Sequence, residues 1–142
     1  MDICQKVEEL KDSQQKLLLI IGQPGSGKSK FIRTYSEETG IPIIDLDKIF
    51  SNTPGDQLMH EMKNFLSNYH QKVLLLDNKK ILYKKNSGID LLAFLKELSQ
   101  EIPVVATWNG KIEDGQLFHF CSHAPEDLIY SVEKEDFKYI LC

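Results

Sequence analysis

The chain has 142 residues, 42% of them apolar and 27% charged, with a net charge of −4. That is the size of one domain with its own core, so residues 1–142 are expected to form a single unit. No stretch approaches the roughly 20 apolar residues of a membrane span, and the N-terminus lacks the basic-then-apolar order of a secretory leader. A cytoplasmic protein away from membranes is therefore expected. The acidic balance argues against broad nucleic-acid affinity and leaves only a local patch for a DNA contact. Cys4, Cys121 and Cys142 are scattered and odd in number, which reads as free thiols rather than a disulfide framework.

Ile3, Val7 and Leu10 make a helical stripe, so the chain opens with a short amphipathic helix. Lys16 to Ile21 is an apolar run after one Lys and reads as a buried parallel strand. Lys28 to Thr39 is helical, with Phe31, Ile32 and Tyr35 inward and Gly40 as the stop. Ile41 to Leu46 is a second strand. Thr53-Pro54 marks a helix start with Pro in its first turn, and Leu58, Met59, Met62, Phe65, Leu66 and Tyr69 then keep helical spacing. Val73 to Leu76 is a third buried strand. Ser87, with Asp90 three residues on, resembles a capping box for a helix whose core face is Leu91, Leu92, Phe94, Leu95 and Leu98. Pro103 to Trp108 is a fourth strand. Asn109-Gly110 and Asp114-Gly115 are turn signals, after which Leu117 to Phe120 pairs back as a β-ribbon, and Phe137 to Leu141 is a candidate last strand. Strands alternating with helices predict a three-layer α/β fold with a mostly parallel sheet.

Gly22-Gln23-Pro24-Gly25-Ser26-Gly27-Lys28-Ser29 matches the pattern GxxxxGK[ST], between a buried strand and an amphipathic helix. The glycines let successive backbone N–H groups point at phosphate oxygens, and the following helix adds its N-terminal dipole. Lys28 is placed to neutralise the outer phosphates of a nucleoside triphosphate such as ATP, and Ser29 to hold Mg²⁺. Gly22 to Lys30 is the candidate cofactor-binding segment, Lys30 included. Val73-Leu74-Leu75-Leu76-Asp77-Asn78 has the form of the second acidic motif of this class, with Asp77 at the sheet's C-terminal edge as a Mg²⁺ ligand. Many hydrolytic relatives of this motif carry Glu next. Asn78 can hydrogen-bond a water but cannot take its proton, so slow turnover is expected.

Two P-loop classes compete. Asp45-Leu46-Asp47 resembles the DxD of small-molecule kinases, although loop and cap roles explain those residues equally well. Such kinases usually carry lid arginines, and Arg33 is the chain's lone arginine. Val104-Val105-Ala106-Thr107-Trp108-Asn109 is an apolar strand ending in polar residues, as in the additional-strand (ASCE) class. There Thr107 or Asn109 serves as a polar sensor near the γ-phosphate. The expected fold is thus an ASCE, AAA-like P-loop core without a C-terminal helical lid. Among weaker signals, His119, Cys121 and His123 alternate as metal-binding types do, but a fourth ligand is missing. Lys79, Lys80, Lys84 and Lys85 read as a solvated loop, or as a partner contact, a nucleic-acid contact or a lysine offered to a neighbouring copy in a homo-oligomer.

Taken together, Ile21 to Ser29, Leu74 to Asn78, Val104 to Gly110 and Gly115 to His123 resemble BrxF, a family of small P-loop proteins of BREX phage-defence systems. The resemblance implies a bacterial cytoplasmic ATP-binding component that works with other BREX proteins. Gly22 to Ser29, Asp77 and Asn78 carry over as its nucleotide-site residues. Three functions follow as expectations: a slow or partner-stimulated ATPase, a nucleotide-dependent binding module with little turnover, and a small-molecule kinase.

Overall fold

Apolar residues bounded by the glycine segment, Leu17–Gly22, form strand β1, buried along its whole length. Around it, a computed structural model describes residues 3–12, 16–83, 88–120, 128–132 and 137–142. Chain order is helix α1 (Ile3–Lys11), β1, α2 (Lys28–Thr39), β2 (Ile43–Asp45), α3 (Leu46–Ile49), α4 (Leu58–Ser67), β3 (Leu74–Asp77), α5 (Leu91–Ser99), β4 (Val104–Glu113), β5 (Gln116–His119), β6 (Leu128–Ser131) and β7 (Lys138–Leu141). Short 3₁₀ turns at Gly55–Gln57 and Lys80–Leu82 precede α4 and follow β3.

Seven strands form one mixed sheet in the order β2-β3-β4-β1-β7, parallel throughout, from which β5 and β6 run on antiparallel beyond β4. Side chains alternate across each strand, so the sheet feeds two cores. Leu18, Ile20, Leu75 and Val105 pack with Val7 and Leu10 of α1 and Ile32 and Tyr35 of α2. Leu17, Leu19, Leu74, Leu76, Val104 and Ala106 pack on the other face with Met62 of α4 and Leu91, Leu95 and Leu98 of α5. Helices thus cover both faces of a mostly parallel sheet, compatible with a three-layer α/β domain. No described helix is long and apolar enough to cross a membrane.

Several expected boundaries move, each for a local reason. The second strand stops at Asp45, because the Asp45 side chain accepts the Lys48 amide at 3.0 Å and caps α3 in mid-run. Pro54 is extended (φ −61°, ψ 147°) and precedes a 3₁₀ turn, so it stands outside the helix that starts at Leu58. The cap of α5 is Asp90, which accepts the Ala93 amide at 3.2 Å; Ser87 lies outside the described residues.

Asn109-Gly110 is no turn. β4 runs through it to Glu113 and bends back only at Asp114-Gly115. Gly110 serves close approach instead: a Cβ there would collide with the Phe118 carbonyl, which also accepts the Trp108 indole N–H at 2.9 Å. β6 was not anticipated. Beyond β4, all regular structure among the described residues is strand.

Candidate functional site

The candidate residues gather at the C-terminal edge of the parallel strands. β1 ends at Gly22, level with Asn109 of β4, while Ile20 is level with Thr107. β3 ends at Asp77, level with Asp45 of β2. β4 pairs with both β1 and β3, so one strand separates the glycine segment from Asp77.

Between Gly22 and Lys28 the chain curls, with the Ser26 amide donating to the Gln23 carbonyl at 3.0 Å. Gly25 (φ 85°) and Gly27 (φ 98°) take left-handed conformations that glycine adopts at little cost. Gly27 is the N-cap of α2 and provides no side-chain acceptor, and the first turn holds no acidic residue. The leading amides of α2 therefore keep their partial positive charge uncompensated by a carboxylate, whereas α3 and α5 are capped by Asp45 and Asp90. Lys28, the first residue of α2, is only 6% exposed. Its Nζ donates to the Gln23 carbonyl at 2.8 Å, so the amine lies within the curl of its own loop. Burial lowers its pKa, against the opposing pull of Cys142 and Asp77. Gln23 to Gly27, Ser29 and Lys30 are exposed.

Asp77 Oδ1 accepts the Thr107 hydroxyl at 2.8 Å and the Asn78 amide at 3.0 Å. Oδ2 takes no hydrogen bond from the described residues. Asn78 has a left-handed backbone (φ 50°), which a short polar residue tolerates. Its side-chain amide donates to Asp45 Oδ2 at 3.1 Å. Asp47 accepts the Lys80 and Ile81 amides at 3.1 and 2.7 Å, while its own amide donates to the Asn78 carbonyl at 3.0 Å. Both Asp45 and Asp47 thus hold turns. Arg33 is exposed on α2.

The lysine run after Asp77 is not a uniformly solvated loop. Lys80 is exposed, but Lys79 is only 5% exposed and its Nζ donates to the Thr107 hydroxyl at 3.1 Å. Asn78 is left-handed, and the Lys79 side chain that follows it turns inward onto Thr107 of β4 rather than outward. Burial lowers its pKa to about 8, opposed by Asp77 and Asp47 and reinforced by Lys28. A lysine held this way cannot be the one offered to a neighbouring copy. Lys84 and Lys85 lie outside the described residues. Nothing in the sequence singled out Lys79, because the preceding turn comes from Asn78, a residue type equally at home in an open loop.

Cys142 was also not foreseen. Its amide donates to the Ile21 carbonyl at 2.8 Å, which brings it beside the glycine segment. Its thiol is pushed up by burial and pulled down by Lys28. Of the alternating metal-binding types, Cys121 and His123 lie outside the described residues, and His119 is buried between the Tyr83 and Trp108 rings, with centroids at 4.4 and 4.9 Å. An open groove of about 450 Å³, lined by Lys63, Tyr69, Gln71 and Glu101 among others, lies at the opposite, N-terminal edge of the sheet and shares no residue with the loop.

Fold and edge together define a mixed α/β protein with a mostly parallel seven-strand sheet, whose polar residues converge where the parallel strands end. No protein-family model matches the chain, and no curated protein or solved structure does either.

Proposed function

We propose that this chain is a P-loop NTPase of the additional-strand class that binds ATP with Mg²⁺ at the loop Gly22 to Ser29. Within that class, we read it as a BrxF-type component of a bacterial phage-defence system, cytoplasmic and acting with other BREX proteins. The observation that carries the class is the convergence of a buried Lys28, held inside an uncapped glycine loop, with Asp77 at the same sheet edge. The strand order adds support, since β4 stands between the loop strand and the Asp77 strand. The BREX assignment rests on the motif set of the sequence alone.

The parts divide the work simply. A triphosphate would replace the Gln23 carbonyl as the acceptor for Lys28, and loop amides would take the remaining phosphate oxygens. The donor set suits a hard, oxygen-bound cation: the exposed Ser29 hydroxyl and the unbonded Oδ2 of Asp77. No group of three or more His, Cys, Asp or Glu able to hold a metal occurs among the described residues. Mg²⁺ would therefore take most of its shell from phosphate and water, and when bound it supplies charge neutralisation for phosphoryl transfer. Asn109, level with Gly22, is the better placed of the two sensor candidates, because the Thr107 hydroxyl is committed to Asp77.

A second reading, a nucleotide-dependent binding module with little turnover, is favoured by Asn78. It is no base, and its amide is tied to Asp45. The kinase reading loses ground because Asp45 and Asp47 are engaged in turns. The deciding experiment is calorimetry of ATP binding to wild type and Lys28→Ala. Lys28→Ala is expected to fold and to lose binding; equal affinity in both would refute the site. Phosphate release by the pure protein, alone and with DNA and candidate partners, then separates the ATPase from the binding module.

A further inference from the structure

Lys79 is a buried amine that no part of the proposed chemistry uses. It stands two residues past Asp77, yet it reaches Asp77 indirectly. Lys79 Nζ donates to Thr107 Oγ1 at 3.1 Å, and Thr107 Oγ1 donates to Asp77 Oδ1 at 2.8 Å. A hydroxyl has one proton and two acceptor lone pairs. With Lys79 filling an acceptor position, the Thr107 proton points at Asp77. The Asn78 amide, at 3.0 Å, lands on the same oxygen. Oδ1 is thereby occupied twice, while Oδ2 faces no donor among the described residues.

The turn carrying Lys79 is itself fixed. Asn78 is left-handed, and Asp47 binds the amides of Lys80 and Ile81 that follow. Burying an amine is costly, and an apolar side chain of similar length would fill this space without that cost. A geometry held at such expense, through two further anchored residues, is what a site needs when one carboxylate must present a chosen oxygen.

We propose that Lys79 is a positioning residue of the cation side of this site, acting through the Thr107 hydroxyl to hold Asp77 with Oδ1 occupied and Oδ2 presented. The inference rests on the nucleotide-site reading above and deepens it.

The test is calorimetry of ATP binding in Mg²⁺ and in EDTA, for wild type, Lys79→Met, Thr107→Val, Thr107→Ser and the Lys79→Met/Thr107→Val double variant. Supporting partners of a metal ligand are typically worth about 10–100-fold in affinity. Lys79→Met and Thr107→Val are each expected to lower the Mg²⁺-dependent gain in affinity by about tenfold at least. Affinity in EDTA should not change. Thr107→Ser, which keeps the hydroxyl, should keep the Mg²⁺ gain. Because the two residues act in series, the double variant should be no worse than the worse single one. Thermal melting of the nucleotide-free variants reports the fold independently; if Lys79→Met does not fold, the Val and Ser variants at Thr107 decide.

Equal losses in Mg²⁺ and EDTA would show a packing role and overturn the proposal. So would an unchanged Mg²⁺ gain in Lys79→Met, additive losses in the double variant, or equal behaviour of Thr107→Val and Thr107→Ser. A wild type that binds ATP without any Mg²⁺ gain, or a Lys28→Ala variant that binds as wild type does, would instead sink the nucleotide-site reading, and the proposal would fall with it.

Discussion

Asn78 shows how one residue fixes both a conformation and a chemistry. Its backbone is left-handed and its amide donates to Asp45 Oδ2. From sequence alone, Glu at this position is the substitution that would restore a water-polarising carboxylate. The surroundings of Asn78 count against a gain from it. Glu would set a carboxylate against Asp45 and take up a backbone conformation it disfavours. Asn78→Glu is therefore expected to lose about 1–3 kcal/mol of stability with no gain in phosphate release; denaturant titration and a turnover assay would check both. Tyr69 carries a pH signature. Burial raises its phenol from 10.0 to about 12, and the hydroxyl donates to the Val73 carbonyl at 2.7 Å. A raised folded-state pKa means the native protein holds this proton longer than the unfolded chain does. The contribution is complete below pH 10 and is lost as pH rises toward about 12. Tyr69→Phe should remove part of the alkaline loss of stability, read from urea midpoints across that range. Single residues were legible where a pattern demanded them, as with Gly22, Gly25, Gly27 and Lys28. Lys79, Cys142 and the Asn78–Asp45 bond depend on partners about 30 or more positions away, or over 100 for Cys142, and no local spacing announces such contacts.

β4 is the element on which the site depends. Its first half pairs in parallel with β1 and β3, and its second half pairs antiparallel with β5. One continuous strand thus carries Thr107 and Asn109 between two kinds of pairing. Gly110 permits this, because the Phe118 carbonyl occupies the space a side chain would need. Gly110→Ala is expected to force the two strands apart and cost about 1–3 kcal/mol, as overpacking does, with a measurable drop in melting temperature. Gly40→Ala makes a useful contrast: Gly40 has open space but a left-handed φ of 76°, so any penalty there is conformational rather than steric. Asn-Gly reads as a turn in sequence because turns are where that pair usually earns its place; here tertiary packing decided otherwise. Strands β1 and β3 and helices α2 and α5 were legible from hydrophobic runs and period. The short α3 and strand β6 were not. α3 has one turn, too few residues to show a period, and β6 alternates half-buried and exposed positions at the sheet's end.

At the scale of the molecule, β1 borrows both its neighbours from far along the chain. Leu17 pairs with Val104, and Leu18 with Lys138, separations of about 90 and 120 positions that mark a high contact order. The glycine segment is local, but the platform that aims it is assembled from three distant pieces. A chain that has not yet closed β4 and β7 onto β1 therefore has the loop without the site. If ATP binds only the finished sheet, it stabilises the native state by mass action and leaves the folding transition state without its bonus. ATP with Mg²⁺ should then slow unfolding in a stopped-flow denaturant jump and leave the refolding rate nearly unchanged. Acceleration of refolding by ATP would mean that the loop captures phosphate before its neighbours arrive. If the proposed site holds, the parallel pairing of β1 makes a bound nucleotide a latch on a closed door rather than the hand that closes it.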